Sequence, residues 1–165
     1  MGLFSMFKNQ ETTEAMTPQL ALAVSLLYIS AADGEMDAEE VGGLLAILGG
    51  QSGRGGVGFS NEAKQVLDSA VRYIRKTRPP EFLAQAAPML TEAQKFAILV
   101  NMLDSALSDG QAEVEEQQLF GQFLTAFGVS EDRFKPFFDV IQLKYERRLF
   151  VDPNHPMNQP GFRIG

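Results

Sequence analysis

Apolar positions recur at intervals of three and four along most of this chain, with no sustained alternation of apolar and polar residues. That pattern predicts helices and argues against strands. Thr17 followed by Pro18 is a cap followed by proline at the first helical position, where its missing N–H costs nothing. The helix it opens runs through Leu20, Val24, Leu27 and Ala31. Asp37 with Glu40 makes a capping-box-like start for a second helix ending at Gly49. Ser60 opens a third, through Leu67, Ala70 and Ile74, which Pro79 and Pro80 stop. A short fourth segment reaches about Leu90, and Thr91 with Gln94 opens a fifth through Phe96, Leu99 and Leu103. A sixth carries Leu119, Phe123 and Leu124 and ends at Gly128. A seventh follows Ser130 to about Phe150, with Pro136 starting its main part or kinking it. The expected fold is all-α, a compact bundle of about seven helices.

The same pattern is written twice. Leu20-Ala-Leu-Ala-Val-Ser-Leu-Leu, leading to Ala32-Asp33-Gly34, matches Phe96-Ala-Ile-Leu-Val-Asn-Met-Leu, leading to Ser108-Asp109-Gly110, at an offset of 76 residues. Glutamate pairs follow each, Glu39-Glu40 and Glu115-Glu116. Further on, Val71-Arg72-Tyr73-Ile74-Arg75-Lys76 resembles Leu143-Lys144-Tyr145-Glu146-Arg147-Arg148 at an offset of 72. The first repeat therefore has the longer connection. Gly49 to Gly58, with six glycines, is where the extra residues fall, and its composition predicts an irregular loop. No Gly-Lys-Ser/Thr ends it and no strand precedes it, so it is not a phosphate loop. Two pseudo-symmetric repeats, about 17–78 and 91–150, are expected to pack around their first helices. An extension, 1–16, precedes them and a Pro-rich tail, 151–165, follows.

Each Asp-Gly loop matches the second half of a calcium-binding EF-hand loop. With Gly34 at the sixth place, Asp33 falls at the fifth and Glu40 at the twelfth; Asp109, Gly110 and Glu116 fall likewise. The first and third places hold Ile29 and Ala31, or Ser105 and Leu107, and supply no carboxylate. The candidate ligands are Asp33, Asp37 and Glu40 in one loop, and Asp109, Glu113 and Glu116 in the other. The cation they suit is divalent, Ca2+ before Mg2+ or Mn2+, with carbonyls and water completing the shell. The same residues also describe a metal-free turn, in which glycine ends one helix and the glutamate caps the next. The residues leave both alternatives open.

Charge follows the repeat. The net charge of −7 conceals −6 over residues 1–50, +4 over 51–80, −8 over 81–132 and +3 over 133–165. The overall balance argues against a nucleic-acid binder. The basic clusters Arg72, Arg75, Lys76, Arg78 and Lys144, Arg147, Arg148 serve helix C-termini or form a docking face for an acidic partner or anionic lipid. There is no cysteine and one histidine, His155, so any metal must be held by oxygen. No serine–histidine or cysteine–histidine pair and no Glu-x-x-His motif is available, so no enzyme is expected. His155 reads as a solvated tail residue, Tyr73 and Tyr145 as rim residues, and the phenylalanines at 120, 123, 127, 134, 137 and 138 as core. Leu3, Phe4, Met6 and Phe7 form a small anchor or fold back. They are too few for a signal peptide. Leu20 to Ala32 is too short to span a bilayer. A soluble, cytoplasmic protein of undetermined oligomeric state is expected.

The repeated motif, Ala32-Asp33-Gly34 to Glu40 and Ser108-Asp109-Gly110 to Glu116, together with the apolar helix before each copy, resembles the tellurite-resistance TerB family over about Thr17 to Phe150. The resemblance implies an all-helical bacterial module of tellurite and other stress responses. It implies divalent-metal binding through Asp33, Glu40, Asp109 and Glu116, with Asp37 and Glu113 next, and protein partners associated with the inner membrane. A similar domain precedes the J-domain of a membrane-anchored co-chaperone, which implies that the module also serves protein assembly. The Gly-rich insertion and the proline-rich tail depart from the plain family pattern.

Overall fold

A computed structural model of the chain describes residues 15–32, 34, 36, 38–49, 62–108 and 110–164. Among them are seven α-helices and no strand. They are α1 (Pro18–Ser30), α2 (Ala38–Gly49), α3 (Ala63–Lys76), α4 (Pro79–Ala86), α5 (Glu92–Leu107), α6 (Val114–Phe127) and α7 (Glu131–Tyr145). Ser60, Gly50 to Gly58 and the first 14 residues lie outside the described residues.

The helix starts follow the capping chemistry. Thr17 Oγ1 accepts the Leu20 amide at 3.1 Å. Thr91 and Gln94 form a reciprocal capping box, at 2.9 and 3.2 Å. Ser130 Oγ accepts the Arg133 amide at 3.2 Å. Gly128 closes α6 in the left-handed conformation, φ 68°.

Helix α1 is the axis of the bundle. Every residue from Leu20 to Ile29 is buried, and the helix packs on α2, α3, α4, α5 and α6. Its one buried polar side chain, Ser25, donates to the Ala21 carbonyl at 2.6 Å, so burial leaves no polar atom unpaired. A fully buried leucine contributes roughly 2 kcal/mol, and α1 supplies Leu26 and Leu27 with no exposed surface at all. Helix α5 packs on α6 and α7, and α1 and α5 pack on each other. The short α4, which belongs to neither copy of the repeat, sends Phe82 into the centre. Its ring lies 5.7 Å from Tyr28, 6.0 Å from Tyr73 and 5.9 Å from Phe123.

Three expectations are corrected. Helix α7 ends at Tyr145, not near Phe150, because Glu146 leaves the helical backbone and its carboxylate accepts the Arg148 amide at 3.2 Å. Phe137 and Phe138 are exposed rather than core. Helix α7 packs chiefly on α5 and turns only Phe134 and Ile141 fully inward, which leaves Phe137 and Phe138 on its flanks. His155 is not solvated: its side chain is 11% exposed, and Nδ1 accepts the Met157 amide at 3.1 Å. Nε2 lies 3.5 Å from Glu146 Oε1. The tail residues around it form a knot of turns. Asn158 Nδ2 donates to the Leu149 and Asp152 carbonyls, at 2.8 and 3.0 Å, and Arg148 pairs with Asp152.

Candidate functional site

The two Asp-Gly loops share one backbone turn. Gly34 has φ 104° and its amide donates to the Ala31 carbonyl at 3.0 Å. Gly110 has φ 121° and its amide donates to the Leu107 carbonyl, also at 3.0 Å. Only glycine adopts such angles without strain. In each copy the next helix starts four residues after the glycine, at Ala38 or Val114. The register offset of 76 residues therefore persists through both loops.

The candidate ligands are only partly placed. Asp33, Asp37 and Asp109 lie outside the described residues. Glu40 sits in the first turn of α2, and its side chain also lies outside them. Glu113 and Glu116 are described and are brought together. Glu113 is the N-cap of α6, and its amide donates to Glu116 Oε2 at 2.7 Å. This is the reach-back bond of a capping box, favoured further by the positive end of the helix dipole. Gln117 Nε2 satisfies the Ala112 carbonyl at 2.8 Å. Hard carboxylate oxygens in this position suit a divalent cation, but Glu116 already holds a backbone amide. Among the described residues, no group of three or more Asp, Glu or His side chains is placed to hold a metal ion.

Beneath the second loop lies a pocket of about 450 Å³ that the sequence reading did not anticipate. Leu103, Ala106 and Leu107 of α5, Phe120 of α6 and Phe138 of α7 supply its apolar wall. Glu116, Gln117, Gln142 and Glu146 supply most of its polar groups. The volume falls in the range of ligand sites. No periodicity marks such a space, because its lining comes from three helices and a loop far apart in sequence.

A polar contact ties the two ends of each repeat. Tyr28 on α1 donates to the Thr77 carbonyl after α3, at 2.5 Å. Asp104, at the matching place on α5, accepts from Tyr145 Oη and Lys144 Nζ, both at 2.9 Å. Burial raises the Tyr28 hydroxyl well above its ordinary value, with Tyr73 and Glu81 adding to it. Burial also raises Tyr145, helped by Asp104, while the hydrogen bond to Asp104 raises Lys144. Tyr73 and Tyr145 are half-buried at the rim, as expected. Arg75, Arg78, Arg147 and Arg148 are exposed. Among the described residues, no helix is long and apolar enough to cross a membrane.

Comparison with known proteins agrees with the motif. The family model described as tellurite resistance protein TerB matches residues 19–137, from α1 into the first turns of α7. Neither curated proteins nor solved structures give a significant match. With most of its length matched, from the first Asp-Gly loop past the second, the chain belongs to the TerB family.

Proposed function

We propose that this chain is a non-enzymatic TerB-family module of a tellurite-resistance type stress response, binding a divalent cation, Ca2+ in preference to Mg2+ or Mn2+, through its two acidic loops. The observation that supports this most is the shared turn at Gly34 and Gly110, each followed by an acidic helix start at the same register. Asp33, Asp37 and Glu40, and Asp109, Glu113 and Glu116, are the proposed ligands, with carbonyls and water making up the six or more oxygens such ions take. Two or three carboxylates per loop make for weak binding. The Glu116 carboxylate must also exchange the Glu113 amide for the ion or bridge both. The chain works in the cytoplasm beside membrane-associated protein partners. The absence of any cysteine, and the engagement of the one histidine in a turn, support a role without catalysis.

Calorimetric or NMR titration with calcium, magnesium and manganese tests this. Saturable binding in the millimolar range or tighter is expected, weakened about tenfold by Asp33→Asn or Asp109→Asn. No binding by the wild-type chain, or binding indifferent to both substitutions, would sink the cation.

A second reading takes the loops as structural and the chain as a metal-free scaffold or co-chaperone-like module. The capping bond from Glu113 to Glu116 favours it, since it accounts for Glu116 with no ion. Partners would then dock on the basic ends of α3 and α7. Charge reversal at Arg72, Arg75, Arg147 and Arg148 should abolish partner capture while leaving thermal stability nearly unchanged.

A further inference from the structure

The turn that follows α7 holds out two apolar side chains. Phe150 is 97% exposed and Val151 77%, the most exposed large apolar side chains among the described residues. The backbone beneath them is tied down. The Val151 and Asp152 amides both donate to the Arg148 carbonyl, at 3.2 and 2.9 Å. Asn158 Nδ2 bonds the carbonyls on either side of the pair, those of Leu149 and Asp152. Single exposed apolar residues are ordinary, but an adjacent pair on a fixed turn makes a contact patch. Its backbone is already ordered, so docking it costs little conformational entropy.

The pocket beneath the second loop begins where this turn begins. Tyr145 and Glu146 line it, and Phe150 lies four residues beyond Glu146. Its carboxylates are engaged: Glu116 accepts the Glu113 amide, and Glu146 accepts the Arg148 amide and faces His155 Nε2 at 3.5 Å. What it offers a ligand is apolar surface, from Leu103, Leu107, Ala112, Phe120 and Phe138. About 450 Å³ accommodates a phenyl ring and an isopropyl group together. The chain's own tip does not enter it, since Phe150 is almost wholly exposed. One chain thus carries an ordered apolar knob and an apolar pocket of matching size, and joins neither to the other. A two-fold axis beside Glu146 lets each copy seat the other's tip, so that one contact is made twice. The tip and the α7 side of the pocket, from Phe138 to Glu146, lie beyond the residues that the TerB family model matches, 19–137, so the family likeness does not supply them.

We infer that this face binds a second copy of the chain, with Phe150 and Val151 of each copy seated in the apolar pocket of the other. The inference holds with or without a cation in the loops.

The test is NMR and sedimentation of the full chain in chelator, from roughly 10 μM to 1 mM, since so small an interface is transient. The amides of Leu107, Phe120, Gln142 and Phe150 should shift with concentration as the mass rises toward that of a dimer. Phe150→Ser, at an exposed position, should weaken association at least about tenfold and keep thermal stability. Phe138→Ser, which removes an exposed part of the pocket wall, should do the same. Mixing the two variants should restore one of the two seats. Labelled Phe150→Ser protein should then shift at Leu107, Phe120 and Gln142, and labelled Phe138→Ser protein at Phe150 and Val151. A spectrum and mass unchanged over the whole range overturn the proposal. So does association that survives Phe150→Ser, or a mixture that restores nothing while the wild-type chain associates. Broadening of Phe150 by phosphatidylglycerol vesicles, in a chain that stays monomeric, would make the tip a membrane anchor and overturn it equally.

Discussion

Helices α1 and α5 are written from one pattern and live in different surroundings. Ser25 and Asn101 hold the same place, and each side chain donates to the carbonyl four residues back, Ala21 at 2.6 Å and Ala97 at 2.8 Å. Yet Ala21 has no exposed surface, whereas Ala97 faces solvent. Helix α1 is wrapped by α2, α3, α4, α5 and α6, whereas α5 packs chiefly on α1, α6 and α7, and no α-helix follows α7 among the described residues to play the part of α4. Local hydrogen bonding thus repeats with the sequence, while burial is decided by what the rest of the chain lays on top. The polar ties show the same divergence: a neutral one in the first half, Tyr28 to a carbonyl, and an ion-paired one in the second, Asp104 with Lys144 and Tyr145.

The widest gap between the halves is expected from matched substitutions. Ala21→Glu buries a carboxylate with no partner and should cost at least about 4 kcal/mol, a large part of the stability of a domain this size. Ala97→Glu should change stability by no more than about 0.5 kcal/mol. Urea denaturation followed by circular dichroism measures both, and similar losses at the two sites would refute the contrast.

A smaller effect separates the two ties. Tyr28→Phe strands the Thr77 carbonyl and should cost about 1–2 kcal/mol, while Asp104→Asn, in a more exposed place, should cost about 1 kcal/mol or less. Alkali sharpens this. Tyr28, Tyr73 and Tyr145 all hold their protons more tightly in the folded chain than in the unfolded one. Their contribution is therefore complete below the ordinary tyrosine value of about 10, and it is lost as pH rises beyond it. Melting temperature should fall above about pH 10, and Tyr28→Phe should flatten the fall more than Tyr145→Phe. A steeper fall in the Tyr28→Phe protein would refute this.

The smallest contrast should be none. Gly34→Ala and Gly110→Ala meet open space at the added Cβ, so each pays only for its positive φ, about 1 kcal/mol. Thermal melts that differ by several degrees between the two would show that the loops do not share a turn in solution.

Much of the fold is legible in the sequence because caps and helical faces are local signals. Thr17-Pro18, Thr91 with Gln94, Ser130 and Gly128 mark boundaries that the structure keeps. Signals failed where tertiary contact or irregular bonding decides. Phe137 and Phe138 have helical spacing, but α7 has too few neighbours to cover them. The tail turns rest on side-chain bonds from Asn158 and His155 to backbone groups two to nine residues away, which leave no period to read. Of the candidate site, Glu113 and Glu116 were found together, and their capping bond was one of the two roles the spacing allowed. The pocket beside them is lined from three helices and a loop and left no mark in sequence.

The burial of α1 has a bearing on how the chain comes to be folded. A helix shared among five neighbours belongs to no half of the molecule. A fragment ending at Arg78 would leave the α5-facing side of α1 bare, and a fragment beginning at Glu92 would lack the helix that α5 packs against. The two halves are therefore expected to unfold together as one cooperative unit, with a single denaturation transition.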